Sequence, residues 1–327
     1  MKNLSTKYLG LELKNPVIVG SCGLTRSVDK IKELADNGAA AVVLKSLFEE
    51  QIQAEFSSNL DSYNTDYPGA ADYVREYTRS SEIQEYLDLI HDAKKAVDIP
   101  VIGSVHCISG DEWVAFAGQM EEAGADALEL NISLLPSDLR LTSEASEKRF
   151  FEIIDRVGEK VALPTALKIS HFSASLANFI AKLSWHDKVS GLVLFNRFYR
   201  PDIDIDQISL KSSNVLSSPD EISTSLRWIA LMSGRIEKDL AASTGVHDHE
   251  GLVKQLLAGA AAVQIVSTLY NNGAGQISKM LEGLENWMEE KSFNSLDDFR
   301  GRLSYKEVDD PAVFERIQFM KYYAGLT

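Results

Sequence analysis

The segment Glu129-Leu130-Asn131-Ile132-Ser133-Leu134-Leu135-Pro136 places an amide and a hydroxyl directly after a short apolar strand. The strand begins near Ala127, three residues after a glycine suited to end a helix, and the proline starts a loop. In α/β barrels, the groups that carry out chemistry stand at the carboxyl ends of buried parallel strands. We therefore expect Asn131 to face a functional site, and the other strands to supply matching polar ends.

The same helix-to-strand junction occurs three times in the chain. Gly38, Gly124 and Gly259 each follow an amphipathic helix, and small residues and a short apolar strand come next. Proline opens three further apolar runs, a position where it removes no central ladder bond from a sheet. Apolar strands that alternate with helices in this way indicate a parallel sheet buried on both faces.

Eight such strands predict one (β/α)8 barrel domain (a TIM barrel) over residues 1–327. No G-x-G-x-x-G motif follows the first strand, which disfavours an open dinucleotide-binding sheet. The predicted strands lie near 16–20, 40–45, 100–105, 126–131, 164–169, 190–196, 238–243 and 262–266.

Four segments fall outside the minimal barrel. Residues 1–14 alternate apolar and polar side chains around a glycine, which predicts a hairpin beneath the barrel. Residues 47–80 and 197–225 are loop insertions, and long loops in compact domains usually bind ligands or cover a site. Residues 296–327 predict a helical tail, to which we assign no chemistry.

Charge and composition exclude several classes of function. The 327 residues carry a formal net charge of −15, which opposes binding to nucleic acid and to anionic membranes. No apolar run is long enough to span a membrane, and the N-terminus lacks an apolar signal core, so we expect a cytoplasmic protein. Two cysteines are too few for a disulfide framework, an iron–sulfur cluster or a closed zinc site, so we expect no metal.

The predicted strand ends carry small, hydroxyl, amide and ammonium groups. Lys45 and Lys168 project from otherwise apolar strands, where a lysine is costly to desolvate unless an anion or an electron-rich ring compensates it. Hydroxyls and backbone amides after the seventh and eighth strands predict a phosphate cradle. We therefore expect a phosphorylated cofactor across the barrel mouth, with its ring near Lys45, Asn131, Lys168 and Asn196.

The ordered strand ends resemble those of the dihydroorotate dehydrogenase family over nearly the whole chain. The resemblance is carried by Asn15–Ser21, Val43–Ser46, Leu128–Ser133, Leu167–Ile169, Asn196, Ser243–Val246 and Gln264–Thr268. It implies an FMN-dependent flavoprotein oxidoreductase of pyrimidine metabolism, which acts on a CH–CH donor by hydride transfer between a small substrate and flavin N5. Barrels of this kind often form homodimers, and residues 197–225 are our candidate for part of the interface.

The resemblance also assigns roles to individual residues. Lys45 would contact both ring and substrate, and Lys168 would stabilise negative charge on the reduced ring. The cofactor-binding set would be Gly20, Ser21, Lys45, Ser46, Ser104, Asn131, Lys168, Asn196, Ser243, Thr244, Gly245, Ser267 and Thr268. The substrate-binding set would be Asn64, Asn131, Ser137 and Asn196.

The chain departs from the family pattern at the catalytic base. Relatives carry Cys or Ser at the position that corresponds, without a gap, to Leu134, and leucine cannot accept a proton. Ser137 replaces a substrate-holding asparagine, and Thr244 stands where the family usually has glycine. Lys45, Ser133 and Cys107 are the candidates for the catalytic group, and a buried inert cysteine is the alternative reading of Cys107.

Two other functions stay open on the sequence. The cradle would also suit a lyase or isomerase with a phosphorylated substrate, in which Lys45 or Lys168 acts as an acid/base or Schiff-base group. A flavin-binding paralogue that has lost catalysis is the second alternative. Dihydroorotate oxidation itself is placed in doubt by Leu134.

Overall fold

The computed structural model describes residues 2–46, 70–106, 110–132, 135, 137–198, 200–213 and 215–315. Eight parallel strands close into a barrel with helices around it, which confirms the predicted (β/α)8 fold. In order around the barrel, these strands are β3 (Val17–Val19), β4 (Ala41–Val43), β5 (Val101–His106), β6 (Ala127–Asn131), β7 (Thr165–Ile169), β8 (Gly191–Leu194), β11 (Asp239–Ser243) and β12 (Ala262–Ile265).

Helices connect the barrel strands and cover their outer face. They are α1 (Val28–Asp36), α2 (Ala70–Ala96), α3 (Gly110–Glu122), α4 (Ser143–Gly158), α5 (Leu176–Trp185), α6 (Ile222–Met232), α7 (His249–Ala258), α8 (Ser267–Asn272), α9 (Gln276–Glu290) and α10 (Ala312–Glu315). Helix α2 includes residues 70–80, which the sequence assigned to the insertion after β4. The rest of that insertion lies outside the described residues.

Residues inside the barrel and residues outside it form two separate apolar cores. Odd and even positions of each strand point to opposite faces of the sheet, so each strand contributes to both cores. The outer core joins strands to helices, and the lumen is narrow and filled mainly by small or branched side chains. The lumen side chains are Ile18, Ala41, Val43, Ile102, Ala127, Ala166, Val193, Ala241 and Ala262.

A hairpin closes the floor of the barrel, as the sequence predicts. Strands β1 (Thr6–Tyr8) and β2 (Leu11–Leu13) pair antiparallel, and Tyr8 packs with the lumen side chains. The Asp239 carboxylate accepts a 2.7 Å hydrogen bond from the backbone nitrogen of Leu9. The Thr6 hydroxyl donates to the backbone carbonyl of Ala261 at 2.9 Å, so the hairpin is tied to the amino ends of β11 and β12.

A second hairpin projects from the carboxyl end of the barrel. Strands β9 (Arg200–Asp204) and β10 (Ser209–Ser213) pair antiparallel within the predicted 197–225 insertion. The hairpin follows β8 directly, which places it beside the polar strand ends. No helix among the described residues has both the length and the apolar character that crossing a membrane requires.

Candidate active site

A cavity of about 570 Å³ opens at the carboxyl ends of the barrel strands. Its volume falls within the roughly 300–1,000 Å³ typical of small-molecule sites. Eight segments of the chain contribute to its wall, so the site depends on closure of the whole barrel. The lining residues are Ser21, Cys22, Lys45, Ser46, Asn131, Lys168, Asn196, Arg197, Val215, Leu216, Ser217, Ser243, Thr244, Gly245, Val246, Gln264, Ile265, Val266, Ser267 and Tyr270.

The charge of the cavity is opposite to that of the chain. Among the described residues that line it, Lys45, Lys168 and Arg197 are charged, and all three are cations. The chain as a whole carries a net charge of −15. Charged walls of low dielectric focus the field inside a cleft, so this cavity favours an anionic ligand.

Lys168 occupies the floor of the cavity, where the residue is only 8% exposed. It donates to Oε1 of Gln264 at 2.8 Å and lies 3.6 Å from Oε1 of Glu129. Gln264 Nε2 in turn donates to Oε2 of Glu129 at 2.5 Å. The three side chains thus form one buried network, in which the carboxylate offsets the cost of desolvating the ammonium.

Two amide side chains meet at the edge of the cavity. Nδ2 of Asn196 donates to Oδ1 of Asn131 at 2.5 Å and to the backbone carbonyl of Lys168 at 3.3 Å. Asn131 ends β6 and Asn196 follows β8, so β7 lies between them. Since each carboxamide offers both donors and acceptors, the pair suits a ligand that carries amide or carbonyl groups.

Hydroxyl groups form a chain along the first three barrel strands. The hydroxyl of Ser46 lies 3.1 Å from that of Ser21 and 2.7 Å from that of Ser104. The phenol oxygen of Tyr86 accepts from the backbone nitrogen of Ser104 at 2.9 Å. Burial raises the pKa of the Tyr86 phenol, so this phenol stays protonated and the row of hydroxyl groups carries no charge.

The loop after β11 contains two consecutive residues with positive φ angles. Thr244 and Gly245 have φ angles of +79° and +80°, and successive backbone N–H groups in such turns form concave anion sites. A side chain at Gly245 is excluded, because its Cβ would lie 2.1 Å from the backbone nitrogen of Ile222. Thr244 holds a conformation that is unfavourable for its residue type, and its hydroxyl donates to the backbone carbonyl of Phe195 at 3.3 Å.

Hydrogen bonds join the neighbouring loops to this cradle. The hydroxyl of Ser267 accepts from the backbone nitrogen of Ser217 at 2.9 Å, and the hydroxyl of Ser217 lies 3.1 Å from Nε2 of His247. The Thr268 hydroxyl donates to the backbone carbonyl of His247 at 2.8 Å. The insertion after β8 and the loops after β11 and β12 are therefore held as one unit.

Arg197 is fixed by a carboxylate at the cavity rim. Its guanidinium donates to both carboxylate oxygens of Glu221, at 2.9 and 3.3 Å, and to the backbone carbonyl of Val215 at 2.9 Å. Arg200 also contacts Glu221, at 2.9 Å. Burial alone would raise the pKa of the Glu221 carboxyl, but the hydrogen bonds and charges of the two arginines prevail and lower it.

Cys22 and Tyr270 add a thiol and a phenol to the wall beside Lys168. Burial raises the pKa of the Cys22 thiol, against the smaller opposing effects of nearby backbone N–H groups and of Lys168. The pKa of the Tyr270 phenol is also raised, first by burial and then by the neighbouring Cys22. A thiol that stays protonated donates a proton more readily than it accepts one.

The structure brings most of the sequence-predicted residues to this one cavity. Ten of them line it, namely Ser21, Lys45, Ser46, Asn131, Lys168, Asn196, Ser243, Thr244, Gly245 and Ser267. Gly20 and Ser104 lie behind the wall, and Thr268 is buried against His247. Ser137 is exposed, while Asn64, Cys107, Ser133 and Leu134 lie outside the described residues.

Several residues of the site were missed by reasoning from strand ends alone. Glu129 and Gln264 lie within strands, two positions before the expected ends, and both face the lumen. A charged residue and an amide within apolar strands are a signal that could have identified them. The partnership of Arg197 with Glu221 joins residues 24 positions apart, which no local pattern reveals.

Comparison with known proteins gives one consistent result. The family model described as dihydroorotate dehydrogenase matches residues 3–288. The catalytic subunit of dihydroorotate dehydrogenase B (NAD(+)) from Thermoplasma volcanium is 28% identical over 313 residues, covering 92% of this chain and 98% of the relative. The protein of the same name from Methanocaldococcus jannaschii is 24% identical over 301 residues, covering 88% and 94%.

Replacement of Glu221 by glutamine tests the clamp on Arg197. The lowered pKa means that the stabilisation is fully present above the ordinary glutamate pKa and is lost as pH falls through the folded-state value. We expect Glu221→Gln to lower the free energy of unfolding by about 2 kcal/mol at pH 7, as for hydrogen bonds to a charged group. The difference should shrink below about pH 4.5. Urea unfolding across this range measures it, and the exposed Glu237→Gln is the control; a difference independent of pH would contradict the assignment.

Proposed function

The chain belongs to the dihydroorotate dehydrogenase family of flavoprotein oxidoreductases, and we propose that its flavin is FMN, bound in the cavity at the barrel mouth. The observation that carries the proposal is the arrangement of that cavity, with a buried ammonium on its floor and an anion cradle in its wall. When bound, the flavin supplies two-electron redox chemistry toward a CH–CH donor.

The loops after β11 and β12 suit the phosphate of FMN. Thr244 and Gly245 line the cavity with positive φ angles, and Ser243 and Ser267 add hydroxyls beside them. We assign the phosphate to these four residues. The absence of a side chain at Gly245 supports the assignment, because any Cβ there would displace the backbone that forms the cradle.

The barrel-mouth polar groups suit the ring. Lys168 offers a positive charge where reduction of a flavin adds negative charge, and Asn131, Asn196 and Ser21 offer hydrogen bonds at the same level. Gly20 lies beside Gln264 and Val266 and leaves room at the wall. We also place Ser46, Ser104 and Thr268 in the cofactor-binding set, the last two through residues of the wall.

The substrate that fits best is small, anionic and rich in amide or carbonyl groups. Lys45 and Arg197 supply positive charge, and the carboxamides of Asn131 and Asn196 supply paired donors and acceptors. Asn64 and Ser137 complete the proposed substrate set by resemblance alone. Dihydropyrimidine-like molecules have this chemistry, but the base that would take their carbon-bound proton is missing if Leu134 occupies its position.

Proton transfer is therefore assigned to one of three other groups. Lys45 lines the cavity, whereas Ser133 and Cys107 lie outside the described residues. Cys22 does not replace the missing base, because burial favours its neutral thiol. A lysine that acts as the base must first release its own proton.

The absorption spectrum of the purified protein tests the proposal. We expect the two visible bands of a bound flavin, and release of FMN on denaturation, identified by mass. Anaerobic addition of dihydroorotate should not bleach the flavin rapidly, since leucine cannot accept the substrate proton. A colourless protein that takes up no FMN on reconstitution would contradict the proposed function, and rapid bleaching would show that dihydroorotate is a substrate and that a group other than Leu134 serves as the base.

Replacement of Gly245 by alanine tests the phosphate cradle. The new Cβ would collide with the backbone of Ile222, and φ is positive at this position, so the loop must move. We expect FMN to bind at least about tenfold more weakly, a loss of about 1.4 kcal/mol of binding free energy. Gly118→Ala is the matched control, because its Cβ would meet open space on α3. Equal affinity in both variants, measured by fluorescence titration of the flavin-free proteins, would place the phosphate elsewhere.

We further propose that two copies of the chain associate through the β9–β10 hairpin. Among the described residues, five of the twelve exposed large apolar side chains fall within positions 203–215. Leu210 pairs with Ile203 across the hairpin, and Ile205 and Ile208 flank its turn. A two-stranded hairpin leaves unpaired strand edges, and two copies can cover one another's apolar surface in a symmetric contact.

Paired aspartate substitutions test this association. Ile205→Asp with Ile208→Asp should convert a species of twice the chain's mass into the monomer, because two charges would enter the apolar contact. Sedimentation velocity or light scattering measures the mass. Trp185→Asp is the control, since Trp185 is exposed on α5, away from the hairpin. A monomeric unsubstituted protein, or a dimer that survives both substitutions, would overturn the proposed interface.

A further inference from the structure

A glutamate and a glutamine from opposite strands hold the Lys168 ammonium in the floor of the cavity, at the top of the barrel lumen. We propose that Glu129 and Gln264 are positioning residues, which fix the height of this ammonium beneath the bound flavin and thereby set the flavin's reduction potential. The effect on the potential rests on the proposed function. The network itself belongs to the protein alone, so part of the test needs no flavin.

The ammonium group has three N–H donors, and the network accounts for two of them. One donates to Gln264 Oε1 at 2.8 Å, and a second faces Glu129 Oε1 at 3.6 Å. Lys168 also lines the cavity, so its third donor is available to a ligand there. The contacts with Gln264 and Glu129, together with the cavity on the remaining side, fix the position of the positive charge.

Gln264 has only one orientation that satisfies the network. Its Oε1 accepts from the ammonium while its Nε2 donates to Glu129 Oε2. A reversed amide would place N–H groups against the ammonium and an oxygen against the carboxylate, and both contacts would be repulsive. Because β12 and β6 lie on opposite sides of the barrel, this one side chain braces Lys168 across the lumen.

Glu129 supplies the opposite charge that makes a buried ammonium tolerable. Its side chain is 1% exposed, and among the described residues its Oε1 accepts no hydrogen bond. This oxygen is the one that faces Lys168. If the contact with Gln264 were lost, the ammonium could move down onto Glu129 Oε1, and the positive charge would withdraw from the cavity.

Reduction potentials of the FMN-loaded protein test the inference. Gln264→Leu removes the acceptor above Glu129, so the ammonium should move toward the carboxylate and stabilise reduced flavin less. We expect the ratio of reduced to oxidised flavin at a fixed potential to fall about tenfold, or about 30 mV for this two-electron couple. Lys168→Met should lower this ratio further, because it removes the positive charge altogether. The matched control is Gln255→Leu, a fully buried glutamine on α7 outside the cavity.

The potential measurement tests the positioning role of Gln264 separately from the proposed binding of FMN. An unchanged potential in Gln264→Leu would overturn the positioning role, whether or not Lys168→Met shifts the potential. A shift of the same size in Gln255→Leu would also overturn it, because the effect would then follow from loss of any buried glutamine. If the unsubstituted protein binds no FMN, the proposed function fails, and the network is judged on the flavin-free protein.

Unfolding of the flavin-free protein tests the network separately. Glu129→Gln or Lys168→Met alone leaves a buried charge without its partner, which should raise the unfolding equilibrium constant at least about tenfold. The unfolding equilibrium constant of the double variant should be smaller, by about tenfold or more, than the value obtained by multiplying the two single effects. The exposed pair Lys30 and Glu33, 2.7 Å apart on α1, is the control and should show little coupling. Additive effects of Glu129→Gln and Lys168→Met would overturn the network.

Discussion

Burial of a lysine ammonium at the top of the barrel lumen is the constraint on which the site depends. Lys168 is 8% exposed, and a lysine buried to this extent is stable only if the fold supplies a counter-charge and hydrogen-bond acceptors. Glu129 and Gln264 supply them from strands on opposite sides of the barrel. Because the three side chains fill one cross-section of the lumen, the barrel must be closed and correctly registered for the charge to exist there.

Apolar side chains fill the rest of the lumen beneath the buried ammonium. Below the polar layer, the barrel is filled largely by alanine, valine and isoleucine, and Tyr8 closes the floor. Small side chains bring the strands close together, so a glutamine can reach across the lumen. The resulting interior excludes water from beneath the cavity, which strengthens each electrostatic interaction at its mouth. The acidic outer surface does not compete, since solvent screens charges beyond about 8–10 Å.

The sequence predicted the barrel and most of the cavity wall, because both follow from local patterns. Glycine ends the helices, proline opens strands, and polar groups such as Asn131 and Ser243 mark where apolar strands end. Contacts between distant segments could not be predicted in this way. The bond between Gln264 and Glu129 spans 135 positions, and the left-handed backbone of Thr244 is not favoured by its residue type but lies against Ser225 of α6, whose hydroxyl donates to its carbonyl. The resemblance to a family identified the roles of residues, but only the closed barrel shows which side chains meet.

Flavin binding and proton abstraction place different demands on the proposed site. The first would rest on the buried ammonium, the carboxamides and the loop after β11, all of which lie among the described residues. Removing a carbon-bound proton requires a base on the substrate side, and a leucine at that position supplies none. If Leu134 occupies that position, the carbon-bound proton of a dihydropyrimidine must go to another group, such as Lys45.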